Sequence, residues 1–201
     1  MVAAILVKAA GSSGVPPSRS FARHANMRAA SVAPVDPAQL ACRRVVFLDV
    51  DGVLHPQGSG NALFQPGPMR RLHRIVTSGD AAVCLSSSWR SSDWGVDEVN
   101  AQLERAGLAC IVGITPTHGF ATRSDEILHW LSQHPETEHF VALDDMDLTD
   151  PHGDSMARHF VHVDEERGLT DADAEAALAC LKRPVDRSTL PTAQTRDEAI
   201  W

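Results

Sequence analysis

Asp49 and Asp51 stand two residues apart at the end of the apolar run Val45-Val46-Phe47-Leu48 and are followed by Gly52-Val53-Leu54. Side chains alternate along an extended chain, so acids at this spacing point to one side until the backbone turns. Gly52 supplies the freedom for a sharp exit and lets a ligand approach closely. Two carboxylates facing one small volume repel, and a divalent cation or a shared proton relieves the repulsion. That is an arrangement for phosphoryl chemistry. A calcium loop of the D-x-D-G kind would need an acid at its twelfth position, and counting from Asp49 reaches Gly60.

Other reactive groups recur after apolar runs. Ala82-Val83-Cys84-Leu85 ends in Ser86-Ser87-Ser88-Trp89-Arg90, and Phe140-Val141-Ala142-Leu143 ends in Asp144-Asp145. A Ser triplet read alone is a turn that caps the next helix; beside two acid pairs it offers a hydroxyl to a phosphate oxygen. Lys8 and Lys182 are the only lysines, so a cationic phosphate clamp has to be arginine. Arg123 has the right place, at a helix start where backbone N–H groups also favour an anion. Arg90 either reaches the same phosphate or pairs with an acid. Arg70, Arg71 and Arg74 crowd one helix and read as a solvated face, with a substrate-facing basic strip as the alternative. His55, His118, His159 and His162 have no ligand spacing supported by cysteine and read as surface or packing residues; His55 lies near enough to the acid turn to touch substrate.

The elements that must position these groups alternate. After a strand at 45–49, Met69, Leu72, Ile75 and Val76 fall at helical spacing from Pro66, with Gly79 as the stop. A strand over Ala81–Leu85 precedes a helix capped by Ser92 or Asp93, striped by Val96, Val99 and Leu103 and ended by Gly107. Leu108–Val112 reads as the third strand. Arg123–Gln133 is helical with Ile127, Leu128, Trp130 and Leu131 as its buried face, His139–Leu143 is a strand, Phe160–Val163 is extended, and a Thr170-capped helix runs through Leu181. This rhythm predicts an α/β fold: a Rossmann-like three-layer sandwich, mainly parallel, with helices on both faces. Ligands bind beyond the carboxyl ends of such strands, where all the groups above would meet.

The ordered set resembles the haloacid dehalogenase (HAD) superfamily of phosphohydrolases. Its four motifs are an Asp-x-Asp pair, a Ser or Thr after the second strand, a Lys or Arg at a helix start, and a terminal acid pair. The resemblance covers roughly residues 45–181. The wording Phe47-Leu48-Asp49-Val50-Asp51-Gly52-Val53-Leu54, Ser87-Ser88-Trp89-Arg90, Arg123 with Glu126-Ile127, Leu143-Asp144-Asp145 and Gly168-Leu169-Thr170 looks more narrowly like the HAD domain of Swiss-army-knife RNA repair proteins. The resemblance implies that Asp49 is the nucleophile, forming an aspartyl-phosphate, and that Asp51 protonates the leaving oxygen and then activates water. It implies Mg²⁺ held by Asp49, the backbone carbonyl of Asp51 and Asp144, with Asp145 direct or through water. Ser86, with Ser87 and Ser88 as neighbours, Arg123, Arg90 and the Gly52 turn would serve the phosphate.

Large caps in this superfamily enter after the first strand or between the second and third motifs. Here Asp49 to Ser86 and Ser86 to Arg123 each span 37 residues, largely used by core elements, so a minimal lid or none is expected. An open site suits a large substrate such as a nucleic-acid end or a phosphoprotein, with small nucleotides as the alternative. Two other readings compete. A receiver domain phosphorylated on aspartate would carry its acid pair early and need a late lysine, whereas the acid pair Asp144-Asp145 lies late and no suitable lysine exists. A catalytically idle copy would be a binding module.

With 201 residues, 43% of them hydrophobic and 22% charged, the chain fits one domain with a sizeable core and has no run long enough to cross a membrane. Residues 1–43 read as a disordered extension, 44–183 as the phosphatase domain and 184–201 as a flexible polar tail. The net charge of −8 is uneven: residues 1–44 hold six cations against Asp36, a net +5, which leaves −13 on the remainder. An acidic domain disfavours broad nucleic-acid coating while leaving room for one phosphate at a metal-bearing pocket. Cys42, Cys84, Cys110 and Cys180 are scattered, two of them in apolar runs, which favours buried reduced thiols and a cytoplasmic setting. An Arg- and Ser-containing organelle presequence in residues 1–40, or a true start at Met27, is the alternative for the leader. Oligomeric state is left open.

Overall fold

A computed structural model describes residues 43–117 and 119–191; the leader at 1–42, with Cys42, and His118 lie outside them. Five strands form one all-parallel sheet in the order β3-β2-β1-β4-β5. In chain order they are β1 (Arg44–Leu48), β2 (Ala82–Leu85), β3 (Gly113–Ile114), β4 (His139–Asp144) and β5 (Phe160–His162), with helices α1 (Pro66–Gly79), α2 (Asp93–Arg105), α3 (Arg123–Gln133), α4 (Gly153–Ala157) and α5 (Asp171–Cys180). Single 3-10 turns occupy Ser88–Ser91 and Arg187–Thr189.

The alternation of β1 sorts its side chains into two cores. Val46 and Leu48, with Val83, Leu85, Val141 and Leu143, meet Leu72 and Ile75 of α1, Val99 and Leu103 of α2 and Ala174 and Ala177 of α5. On the other face, Val45, Phe47, Cys84, Phe140 and Ala142 meet Ile127, Leu128, Trp130 and Leu131 of α3 and Met156 of α4. A sheet buried on both faces needs apolar residues at consecutive positions, and that is what β1 and β4 carry. Phe47 packs edge-on against Trp130 at 5.2 Å and Phe140 at 5.8 Å; pairs of this kind add ~0.5–1.5 kcal/mol beyond their buried area. Arg71 makes two hydrogen bonds to Asp171, and Arg74 pairs with Glu175. These two members of the α1 arginine group therefore tie α1 to α5.

Several expectations need correction. The third strand is Gly113–Ile114, not Leu108–Val112. The Leu108 amide closes the α2 end on Leu103, the Ile111 amide is taken by the Asn100 side chain, and only from Val112, whose amide donates to Val83, does the chain join the sheet. Cys110 is consequently exposed, whereas Cys84 and Cys180 are buried free thiols. α1 runs through Gly79, and the left-handed residue that ends it is Asp80, φ +48°. α4 carried no sequence signal. The start of the polar tail is docked as far as Leu190: the Val185 amide donates to Glu138, Val185 and Leu190 pack on the aromatic core, and the Arg187 guanidinium donates to the carbonyls of Leu131, His134, Pro135 and Thr137.

Candidate active site

The carboxyl ends of β1, β2 and β4 and the start of α3 converge. β1 is hydrogen-bonded to β2 and β4 in register, Leu48 opposite Leu85 and Leu143, so the residues that follow each strand emerge side by side. The Asp49 amide donates to Leu143 and the Ser86 amide to Leu48. Asp49 is 5% exposed and Asp144 1%. One oxygen each from Asp49, Asp144 and Asp145 lie within 4.8 Å of one another. The Asp51 carboxylate is not in this group.

Arg123 is the first residue of α3, placed there by a capping box in which Thr122 and Asp125 exchange side-chain and backbone hydrogen bonds. A cation at a helix N-terminus opposes the helix dipole, so its position needs an outside partner. Arg123 finds two: Nη1 donates to Asp144 Oδ2 at 2.6 Å and lies 3.3 Å from Asp49 Oδ1. Burial acts to lower the Arg123 pKa, yet the charges and hydrogen bonds of Asp144 and Asp49 outweigh it and the value is raised. The carboxyls fare differently. Burial, then the Asp144 charge, pushes Asp49 up to about 7 against the pull of Arg123 and hydrogen bonds from Ser87 and the Val50 amide. Burial likewise raises Asp144, although Arg123 and the Met146 amide stabilise its charge. One arginine does not neutralise this pocket. Three hard oxygen donors with an unmet demand for positive charge fit a divalent cation of the Mg²⁺ class.

The serines divide their tasks. Both Ser86 and Ser87 are buried and Ser88 is exposed. The Ser87 hydroxyl reaches Asp49 and caps the 3-10 turn by accepting from the Trp89 amide. Ser86 Oγ accepts from Thr115 Oγ1 at 3.3 Å, which leaves its own hydrogen to donate. Arg90, of the two roles open to it, takes the ion pair: Nη2 donates to Glu126 at 2.5 Å, with side chains 7% and 12% exposed, and Nη1 donates to the Ser87 carbonyl at 2.6 Å. Its guanidinium thus anchors the serine turn to α3.

Asp51 sits in other company. Its Oδ2 accepts from Trp89 Nε1 at 3.0 Å, and its Oδ1 lies 3.0 Å from His55 Nε2. The Phe64 amide donates to His55 Nδ1 at 3.4 Å. Nδ1 is therefore an acceptor, and Nε2 carries the hydrogen toward Asp51. His55 is buried and belongs to a cluster of rings with Phe64 and Trp89. Sequence reasoning gave Trp89 no role. The signal was there in kind, since a half-buried indole N–H seeks an acceptor, but the partner stands 38 residues away.

Gly52 has φ +73°, and a Cβ there would sit 2.5 Å from Asp145 Oδ2. Glycine is required both by the backbone and by the approach of that carboxylate to the Asp49–Gly52 turn. The Gly168-Leu169-Thr170 stretch supports the same turn from below, the Leu169 amide donating to the Val53 carbonyl at 2.8 Å. His159 and His162 bond backbone carbonyls of Phe140 and Asp145, packing and framing roles. Among the described residues no helix is long and apolar enough to cross a membrane.

No curated protein and no solved structure matches the chain. The family described as HAD domain in Swiss Army Knife RNA repair proteins matches residues 45–174, a span that runs from β1 into α5 and takes in every group above. The chain belongs to that family.

Proposed function

We propose that this domain is a Mg²⁺-dependent phosphomonoester hydrolase that works through an aspartyl-phosphate on Asp49, acting on nucleotide or nucleic-acid end phosphates. The observation that carries the reading is the pocket of Asp49, Asp144 and Asp145 closed by Arg123. A bare carboxylate pocket would repel a phosphate; a cation held by Asp49, Asp144 and Asp145, with the Asp51 carbonyl, would offset like charge and polarise the phosphoryl oxygens. Arg123 has a planar fork suited to phosphate and stands against the nucleophile. Ser87 from beside Asp49, and Ser86 with its free hydrogen, donate to phosphoryl oxygens.

In the first half-reaction an Asp49 oxygen bonds to phosphorus as the bond to the ester oxygen breaks, and Asp51 gives that oxygen its proton. In the second, water attacks the same phosphorus, Asp51 takes the water's proton, and the acyl-phosphate bond breaks to release phosphate and restore Asp49. Asp51 is suited to both steps because His55 and Trp89 fix its plane while leaving its side chain 40% exposed. The core elements α1 and β2 lie in the first 37-residue interval and α2 and β3 in the second, which supports an open site. Phosphate release from an aryl phosphate with Mg²⁺ tests the reading. Asp49→Asn is expected to lower kcat by at least ~10³-fold and chelation to abolish turnover; release undiminished in Asp49→Asn would refute the nucleophile.

A further inference from the structure

Trp94 is 65% exposed, an unusual placement for the largest side chain. It lies in the first turn of α2 and stacks on Trp89, centroids 5.5 Å apart and planes at 26°. Its position is set by the backbone. The neighbouring Gly95 presses so closely on the Trp89 carbonyl that a Cβ would come within 2.2 Å of it, and the Ser92 hydroxyl caps the same turn by accepting from the Gly95 amide. Trp94 is thus the outermost ring of a continuous series, His55, Phe64, Trp89 and Trp94, in which His55 and Trp89 hold the Asp51 carboxylate.

We propose that Trp94 is a stacking platform for the base of a nucleotide whose sugar oxygen is the leaving group, a proposal that rests on the phosphatase reading above. The spacing selects the ligand. Asp51 must lie at the leaving oxygen, and Trp89 links it to Trp94, donating to Asp51 from its ring edge and carrying Trp94 on its ring face, so a ring that covers Trp94 is joined to the ester oxygen through a spacer. A nucleotide has that spacer in its sugar. In phosphotyrosine the ester oxygen is on the ring itself, which would put the ring at Asp51, and a plain sugar phosphate has no flat ring to offer. Stacking also suits an acidic domain: one unpaired terminal base adds affinity through its π-face without the row of phosphate contacts that a net −13 would disfavour.

The test compares kcat/KM for three esters: a nucleoside monophosphate, a single-stranded oligonucleotide carrying a terminal phosphate, and ribose 5-phosphate. Wild type is expected to prefer the two base-bearing esters. Trp94→Leu, which keeps an apolar side chain but not a ring, is expected to cut that preference roughly 5- to 150-fold, mainly through KM, and Trp94→Phe to retain most of it. A preference for the oligonucleotide over the mononucleotide assigns the platform to a nucleic-acid end; parity assigns it to free nucleotides. A base preference unmoved by Trp94→Leu overturns the proposal. If wild type releases phosphate from none of the esters, the phosphatase reading falls, and quenching of tryptophan fluorescence by nucleotide then decides. Quenching that Trp94→Leu weakens and Trp94→Phe keeps supports the platform, and its absence from wild type overturns it.

Discussion

The two sides of the Asp49–Gly52 turn are built from opposite materials. On one, Asp49, Asp144, Asp145 and Arg123 crowd charge into a pocket where the two central acids are almost wholly buried. On the other, Asp51 meets rings: an indole N–H and an imidazole N–H, one on each carboxylate oxygen. Only Val50, fully buried, separates the two aspartates. Both lie just past β1, which ends at Leu48; Asp51 meets the ring cluster while Asp49 stays with the acids, and the left-handed Gly52 then turns the chain. Two identical side chains thus receive opposite surroundings, the kind of division by environment that the proposed roles of nucleophile for Asp49 and proton carrier for Asp51 require.

Replacing Asp51, the proton carrier of the proposed reaction, is the largest break in that comparison that leaves the charged pocket whole. Asp51→Asn is expected to lower kcat by ~10²–10⁴-fold. Because a good aryl leaving group needs little protonation, the first step survives better than the second. The variant is therefore expected to accumulate phosphoprotein, visible by intact mass in Asp51→Asn and absent from Asp49→Asn. No covalent phosphate in Asp51→Asn would assign the acid–base role elsewhere.

A smaller change sharpens the ring side. Trp89→Phe keeps the ring that carries Trp94 and deletes one hydrogen-bond donor to Asp51. Loss of a positioning hydrogen bond to a charged group corresponds to about 1.5 kcal/mol, or roughly tenfold in kcat, with KM little changed. The loss is expected to be larger for alkyl than for aryl phosphates, since only the former depend on proton delivery. Equal losses on both, accompanied by a lowered Tm, would make the indole N–H merely structural.

How much of this was legible in the sequence follows the same divide. The charged pocket was readable because its acids stand at the ends of the apolar strands β1 and β4, which in a parallel sheet share one edge, and because Arg123 stands at the start of a helix with a local cap. α3 was readable to the residue, Arg123–Gln133, because its cap and buried stripe are local. The ring side was not. Its bonds cross from Asp51 to Trp89 and from Phe64 back to His55, and nothing in spacing fixes how a loop returns. The Leu108–Val112 run misled for a related reason: apolarity marks burial, and here Leu108 is buried beneath a connection, not in the sheet. The Arg187 contacts with four carbonyls at the end of α3 were likewise invisible, since a polar segment is recognised as docked only through its acceptors.

The crowding of acids has a cost in stability that pH exposes. Asp49 is pushed up from 3.8 to about 7, so between those values the folded protein holds a proton that the unfolded chain has lost. Folding is favoured while that proton is bound, and stability falls as pH rises from about 4 to about 7, then stays low. With divalent cations chelated, the wild-type Tm is expected to fall across this window relative to Asp49→Asn, which has no such proton; the ionised carboxylate costs about 2–4 kcal/mol at pH 8. Taking the difference between the two proteins removes the opposing slopes of Asp125, Asp147, Asp171 and Asp186, whose pKa values are lowered and which stabilise as pH rises. Adding Mg²⁺ at pH 8 is expected to raise the wild-type Tm and leave Asp49→Asn nearly unmoved, because a cation restores what the missing proton leaves uncompensated. Parallel pH curves for the two proteins would mean that Arg123 alone satisfies the pocket, and the contrast between a charge-strained side and a hydrogen-bonded side would reduce to one of shape.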